Sequence, residues 1–186
     1  MKDILHLIDR NKILIIKGSR QVGKTTLLRE IEKQLTQDGK QTFYFSVDQE
    51  LGNPIIENSK RFFRFINDQF PNAVPSNKLY LFLDEFQYLS QPGIFLKTLF
   101  DMGGDRIQII VSGSSSLEIT KNSEFLTGRK IEFFLHPLHY REFLSYKTQL
   151  RFLSAIPLAN WKEVSSFFIT YQTYLGEYFS EYIQFG

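Results

Sequence analysis

The chain has 186 residues, enough for one well-buried domain with a small appendage and too few for two full catalytic domains. Its 22 Lys and Arg against 20 Asp and Glu leave a net charge of +2, so no global field demands a polyanionic partner. The absence of cysteine excludes disulfides and thiol or Cys-zinc chemistry, while 19 Phe and 9 Tyr form an aromatic surplus whose destination has to be found.

The first ten residues carry acidic groups and only a short apolar stretch, unlike a signal peptide, and no run reaches membrane-spanning length. Cytoplasm is the expected compartment. Residues 3–9 predict a short lead-in helix with Ile4, Leu5 and Ile8 on one side. The apolar run from Lys12 to Lys17 is too short for a surface helix and suits a strand buried on both faces. Gly18-Ser19-Arg20-Gln21-Val22-Gly23-Lys24-Thr25 follows, the phosphate-loop pattern of Gly, four residues, then Gly-Lys-Thr. After it, Leu27, Leu28, Ile31 and Leu35 recur at helical spacing. A chance glycine turn would have no reason to sit between a strand and a helix start. The backbone from Gly18 to Thr26 is therefore the candidate nucleotide cradle. Gly18 and Gly23 let the chain wrap closely, and the loop N–H groups and helix end receive the α- and β-phosphates. Lys24 reaches the β- and γ-phosphates, and the Thr25 hydroxyl is a ligand for Mg²⁺.

The helix predicted over 24–37 stops near Asp38-Gly39, and a strand follows over 41–48. Asn53-Pro54 breaks the chain before a helix over 55–70, which Pro71 and Pro75 end. Residues 78–85 read as a strand apolar on both faces that finishes in Asp84-Glu85. Pro92 opens a helix over 92–102, Arg106 to Ser112 is a fourth strand, a weaker helical stretch reaches Gly128-Arg129, and residues 130–135 form a fifth strand. This alternation predicts an α/β fold, an open five-stranded parallel sheet with helices on both faces. From Leu138 the pattern is helical, over 138–153 and 160–183. The expected division is a core of 1–136 and a helical appendage of 138–186.

A phosphate loop also needs a residue that orders the metal and one that activates water. Asp84 and Glu85 stand at the carboxyl end of a buried strand, where open α/β sheets bind ligands. Asp84 is the candidate for holding Mg²⁺ through its water shell, and Glu85 for polarising the attacking water. Ser112 and Ser114 have two readings, a polar contact between γ-phosphate and water or an ordinary helix-capping cluster, and the sequence does not choose between the two serines. Arg129 is either a solvated strand-end charge or an arginine that completes a neighbouring subunit's site.

Taken together, the loop with Thr26-Leu27-Leu28, the run Leu81-Phe82-Leu83-Asp84-Glu85-Phe86-Gln87, the run Val111-Ser112-Gly113-Ser114-Ser115-Ser116 and Leu126-Thr127-Gly128-Arg129 resemble the prokaryotic AAA-superfamily ATPases that commonly carry a C-terminal domain of unknown function, related to archaeal-type and STAND-like P-loop ATPases. Pro137-Leu138-His139-Tyr140-Arg141-Glu142-Phe143-Leu144 looks like that family's Pro-Leu-Ser-Phe-Arg-Glu-Phe segment, with His139 and Tyr140 in place of Ser and Phe. The resemblance covers roughly residues 10–150. It implies the additional-strand P-loop class, ATP as the nucleotide, Mg²⁺ as cofactor, a phosphate sensor at Ser112 or Ser114, and Arg129 acting on an adjacent subunit. Gln87 matches a family hallmark. Family members continue into a further C-terminal region, so the resemblance implies that this chain corresponds to the N-terminal part of a longer protein. The expected partners are that missing domain or another protein, with a homo-oligomer in the full-length form.

Residues 161–185 are rich in aromatics, which suits stacking on single-stranded nucleic acid only beside a basic groove. Residues 131–186 hold Arg141, Lys147, Arg151 and Lys162 against Glu132, Glu142, Glu163, Glu177 and Glu181. That balance makes helix packing the preferred reading and nucleic acid an unlikely partner of this segment. Three purposes for the whole follow: a regulatory or remodelling ATPase, a nucleotide-binding scaffold with little turnover, or a nucleic-acid-associated motor.

Overall fold

The computed structural model describes residues 4, 6–8, 10–114, 126–147 and 161–185. Within Met1–Leu135, the first of two compact units, the strands are β1 (Ile13–Gly18), β2 (Gln41–Ser46), β3 (Leu79–Asp84), β4 (Ile107–Ser114) and β5 (Lys130–Phe134). The helices are α1 (Lys24–Gln37), α2 (Pro54–Glu57), α3 (Ser59–Gln69) and α4 (Pro92–Gly103). All strand pairs are parallel and the order is β2-β3-β4-β1-β5. This is the expected five-stranded parallel sheet, and β4 lies between the loop strand β1 and the acid strand β3.

Strand periodicity of two sorts each strand's side chains between two layers. One layer packs Ile13, Ile15, Leu79, Leu81, Leu83, Ile109 and Val111 against Phe62, Phe63 and Ile66 of α3 and Phe95, Leu96 and Leu99 of α4. The other packs Leu14, Ile16, Tyr80, Phe82 and Ile110 against Leu28, Ile31 and Leu35 of α1. Much of the aromatic surplus is consumed in the first layer. The Phe45 and Phe62 rings meet edge to face at 5.1 Å, and Phe62 also lies 5.5 Å from Phe95. From the lead-in segment, Ile4 and Ile8 are buried against the α1 layer, while residues 3, 5 and 9 lie outside the described residues.

Of the boundaries that differ from expectation, two have plain local reasons. The single helix predicted over 55–70 is two, because Asn58 is extended at φ −135° and its side chain accepts from the Lys60 and Arg61 N–H groups, capping α3. The strand predicted over 41–48 ends at Ser46, where Asp48–Glu50 turns into a 3₁₀ segment. Of the weak helical stretch expected to reach Gly128-Arg129, residues 115–125 lie outside the described residues, as do residues 148–153 of the next helix.

The second unit, His136–Gly186, holds α5 (Tyr140–Lys147) and α6 (Trp161–Phe185). Leu144 and Leu175 are buried between them, and the Tyr140 ring meets Phe179 edge to face at 5.3 Å. Tyr140 donates to Leu175 O at 2.8 Å, and Lys147 pairs with Glu181. Tyr140, Phe143, Tyr178, Phe179 and Tyr182 therefore pack α5 and α6 together, while Ile169 and Ile183 are exposed. Among the described residues, no helix is long and apolar enough to cross a membrane.

Beside β1, Glu132 Oε1 accepts from Lys17 at 2.6 Å and from Lys130 at 2.7 Å. Burial raises the Glu132 pKa, but the hydrogen bonds and charges of Lys130 and Lys17 outweigh it and hold the carboxyl below its ordinary 4.5. A depressed folded pKa contributes stability that is present above the unfolded value and lost as pH falls through the folded one. Glu132→Gln should therefore be less stable than the parent chain at neutral pH. The gap should narrow on acidification to about pH 3, as read by urea unfolding at both pH values.

Candidate functional site

The site is built at the carboxyl ends of the strands. β1 delivers its last residue, Gly18, into the loop, and the loop ends where α1 begins at Lys24. Gly18 is required sterically: a Cβ there would stand 2.5 Å from the Leu135 carbonyl oxygen and 2.9 Å from Val22 Cγ2. Gly23 is left-handed at φ 92°, a conformation that favours glycine. Gln21, at φ 64°, adopts the left-handed region without that freedom. Ser19, Arg20 and Gln21 are exposed, as are Thr25 and Thr26, and Val22 is half-buried. Lys24 is only 4% exposed, and its ammonium donates to the loop's own Ser19 carbonyl at 2.8 Å. A cradle of turned backbone with a buried ammonium carried on it is thus preformed.

Register brings the acids and serines to the same edge. Gly18 pairs with Ser114 and Ile16 with Ser112 across β1 and β4, while Leu83 pairs with Val111 across β3 and β4. Asp84 shares strand parity with Tyr80 and Phe82, and Ser112 with Ile110, so both belong to the α1 side of the sheet. Asp84 is 2% exposed, and three donors satisfy it. Ser112 Oγ and the Glu85 N–H, the latter at 3.0 Å, donate to Oδ1, and the Tyr44 hydroxyl donates to Oδ2 at 2.5 Å. Burial, then the hydrogen bond to Asp84 and its charge, push the Tyr44 phenol well above its ordinary range. Over the Tyr44 ring lies the Arg29 guanidinium of α1, with Cζ 3.2 Å from the centroid.

Glu85 does not continue the strand. It is left-handed at φ 53°, ψ 40°, which costs a non-glycine residue about 1–2 kcal/mol. Its N–H is shared between Asp84 Oδ1 and Ser112 Oγ at 3.3 Å, and its carboxylate accepts from Gln87 Nε2. Gln87 Oε1 in turn accepts from the Ser114 N–H at 3.2 Å. The same crowding explains Gly113, where a Cβ would meet Phe86 Cε1 at 2.9 Å and Gln87 Oε1 at 3.0 Å.

The two serines, equivalent in sequence, separate here. Ser112 is engaged with Asp84 and the Glu85 N–H, whereas Ser114 Oγ is buried with no hydrogen-bond partner among the described residues. Arg129 is not gathered with the others. It precedes β5, its carbonyl accepts from Ile13 N at 2.8 Å, and its guanidinium pairs at 3.2 Å with Asp101 of α4 on the surface. Ile13 opens β1 and Gly18 closes it, so Arg129 stands a strand length, about 17 Å, from its own loop. Sequence reasoning missed Tyr44, because no motif marks it and an aromatic in a strand reads as core.

Three kinds of comparison bear on this geometry. Two uncharacterized proteins of Methanocaldococcus jannaschii are each 28% identical, over 96% and 100% of this chain and 38% and 37% of their own lengths. The chain thus spans under two fifths of those relatives. In solved structures, C. elegans PCH-2 aligns over 83% of this chain and 44% of its own, with a TM-score of 0.53 and 16% identity. A DNA replication initiation factor aligns over 98% of this chain and 62% of its own, with a TM-score of 0.51 and 19% identity. Those likenesses speak for the fold alone. The AAA domain family matches residues 10–144, well over half of the sequence, and with the phosphate loop and the five-stranded parallel sheet on the page, this chain belongs to the AAA domain family of P-loop ATPases.

Proposed function

We propose that this chain binds ATP with Mg²⁺ and hydrolyses it, as the nucleotide-driven module of a larger regulatory or remodelling protein. The observation that carries the reading is the meeting, at one carboxyl edge, of a glycine-built cradle holding a buried ammonium with two adjacent acids and a buried hydroxyl that has no partner among the described residues. The residues present suit the cofactor. Thr25 offers an exposed hydroxyl and Asp84 an oxygen ligand, which is the donor chemistry Mg²⁺ takes together with phosphate oxygens and water. When bound, Mg²⁺ neutralises charge on the β- and γ-phosphate oxygens.

The remaining work falls to the protein's own groups. Backbone N–H groups from Gly18 to Thr26 receive the phosphates, and Lys24 exchanges a neutral carbonyl for phosphate oxygens, a stronger charge-assisted contact. Glu85 accepts a proton from the attacking water, and Gln87 orients its carboxylate. Ser114, rather than Ser112, supplies the polar contact to the γ-phosphate, because its hydroxyl has no partner among the described residues while that of Ser112 is committed to Asp84. Arg129, a strand length from its own loop, has a use in hydrolysis only at the site of an adjacent subunit, which favours a homo-oligomer. Its exposed pair with Asp101 is weak enough, about 0–1 kcal/mol, to be exchanged for that role. The presence of Lys24, Thr25, Asp84 and Glu85 argues against the scaffold reading, and the slight excess of acids in residues 131–186 argues against nucleic acid.

Lys24→Ala is expected to weaken ATP binding at least about tenfold, near 1.4 kcal/mol; equal affinities by calorimetry would remove Lys24 from the site. Glu85→Gln keeps size and hydrogen bonding but not basicity. It should bind ATP normally and hydrolyse it about 100-fold more slowly, as followed by phosphate release. Arg129→Ala should bind normally and turn over about tenfold more slowly in an assembling form, and mixing it with Lys24→Ala should restore activity. Unchanged turnover in that assembly would make Arg129 a plain surface charge.

A further inference from the structure

Asp84, a carboxylate at a strand end, is held by three hydrogen-bond donors. The terminal torsion of Asp is soft and broad, so the group ordinarily swings. Here it is held from both neighbouring strands: Ser112 of β4 donates to Oδ1, and Tyr44 of β2 donates to Oδ2 at 2.5 Å. With the Glu85 N–H as third donor, three of about four acceptor positions on a carboxylate are filled. The remaining one is on Oδ2, the oxygen that Tyr44 holds. The orientation of that lone pair therefore depends on the phenol. Tyr44 is itself fixed from outside the sheet, because Arg29 covers its ring at 3.2 Å. Arg29 lies four residues after Thr25 on α1, one turn along the same face. Tyr44 thereby braces the helix that carries Lys24 and Thr25 to the strand that carries Asp84.

We propose that Tyr44 is a positioning residue for Asp84: its hydroxyl, clamped under Arg29, sets the direction in which the carboxylate meets the water shell of the nucleotide-bound cation. This rests on the reading of Asp84 as a Mg²⁺-side ligand. Tyr44 acts here through its bond to Asp84, so its removal should alter the contribution of the metal and leave the phosphate cradle alone.

The test is calorimetric titration of the 186-residue chain with the non-hydrolysable analogue AMPPNP, in Mg²⁺ and in EDTA. Tyr44→Phe removes only the hydroxyl, and a thermal melt checks that it folds. Its affinity in EDTA should match the parent within about twofold, while its affinity in Mg²⁺ falls about fivefold, roughly one bond's worth, and half-saturation requires more Mg²⁺. Asp84→Asn provides the scale, losing most of the gain that Mg²⁺ gives the parent. If Asp84→Asn loses that gain and Tyr44→Phe keeps it, the positioning role is overturned and the Asp84 reading stands. Equal weakening of Tyr44→Phe with and without Mg²⁺ also overturns it, since the tyrosine would then only support the pocket. If Asp84→Asn keeps the full gain, the Asp84 reading fails and this inference falls with it.

Discussion

The close passage of Gly18 against the carbonyl of Leu135 is the constraint on which the site depends. β1 lies between β4 on one side and β5 on the other, and its last residue must leave the sheet between them. Leu135 N donates to Lys17 O at 2.7 Å, which extends the β1–β5 ladder to the mouth of the loop. A side chain at residue 18 would collide with that ladder, so the turn into the loop is available only to glycine. Everything downstream, from the left-handed Gly23 to the burial of Lys24, follows from a backbone that can bend at that point.

A second regularity concerns how charge is managed. Outside the site some charges are paired with charges: Glu132 takes both Lys17 and Lys130, and Lys147 takes Glu181. At the site, among the described residues, the partners are neutral. Lys24 rests on a carbonyl, Asp84 on two hydroxyls and an N–H, and Glu85 on an amide. Neutral dipoles hold direction without cancelling charge, so the field of each group remains available to a phosphate, a cation or a water. A site built from internal ion pairs would have to break them before binding anything.

Most of the fold was legible because its signals are local. Apolar runs too short for surface helices, separated by patterns of helical period, fix five strands and the helices between them, and the phosphate loop identifies itself by spacing. What sequence could not supply was pairing register. Whether Ser112 or Ser114 touches Asp84 is decided by which residue of β4 lies opposite the end of β3, and nothing local to either serine encodes that. Tyr44 was invisible for the same reason: in Phe43-Tyr44-Phe45 the alternation assigns it to the face opposite the phenylalanines, but its hydroxyl finds Asp84 only once β2 and β3 are aligned, Ser46 against Asp84. The helix break at Asn58 was hidden by a cap whose residue type is also common in turns.

The proposed function places a nucleoside triphosphate and its metal at one carboxyl edge of the sheet. Amide NMR mapping of the chain during titration with ATP and Mg²⁺ tests it most directly. Saturable shifts should be concentrated from Gly18 to Thr26, at Asp84 and Glu85, and from Ser112 to Ser114, with little change at the amino ends of the same strands. Absence of shifts at millimolar nucleotide, or shifts gathered at the opposite edge of the sheet, would contradict it.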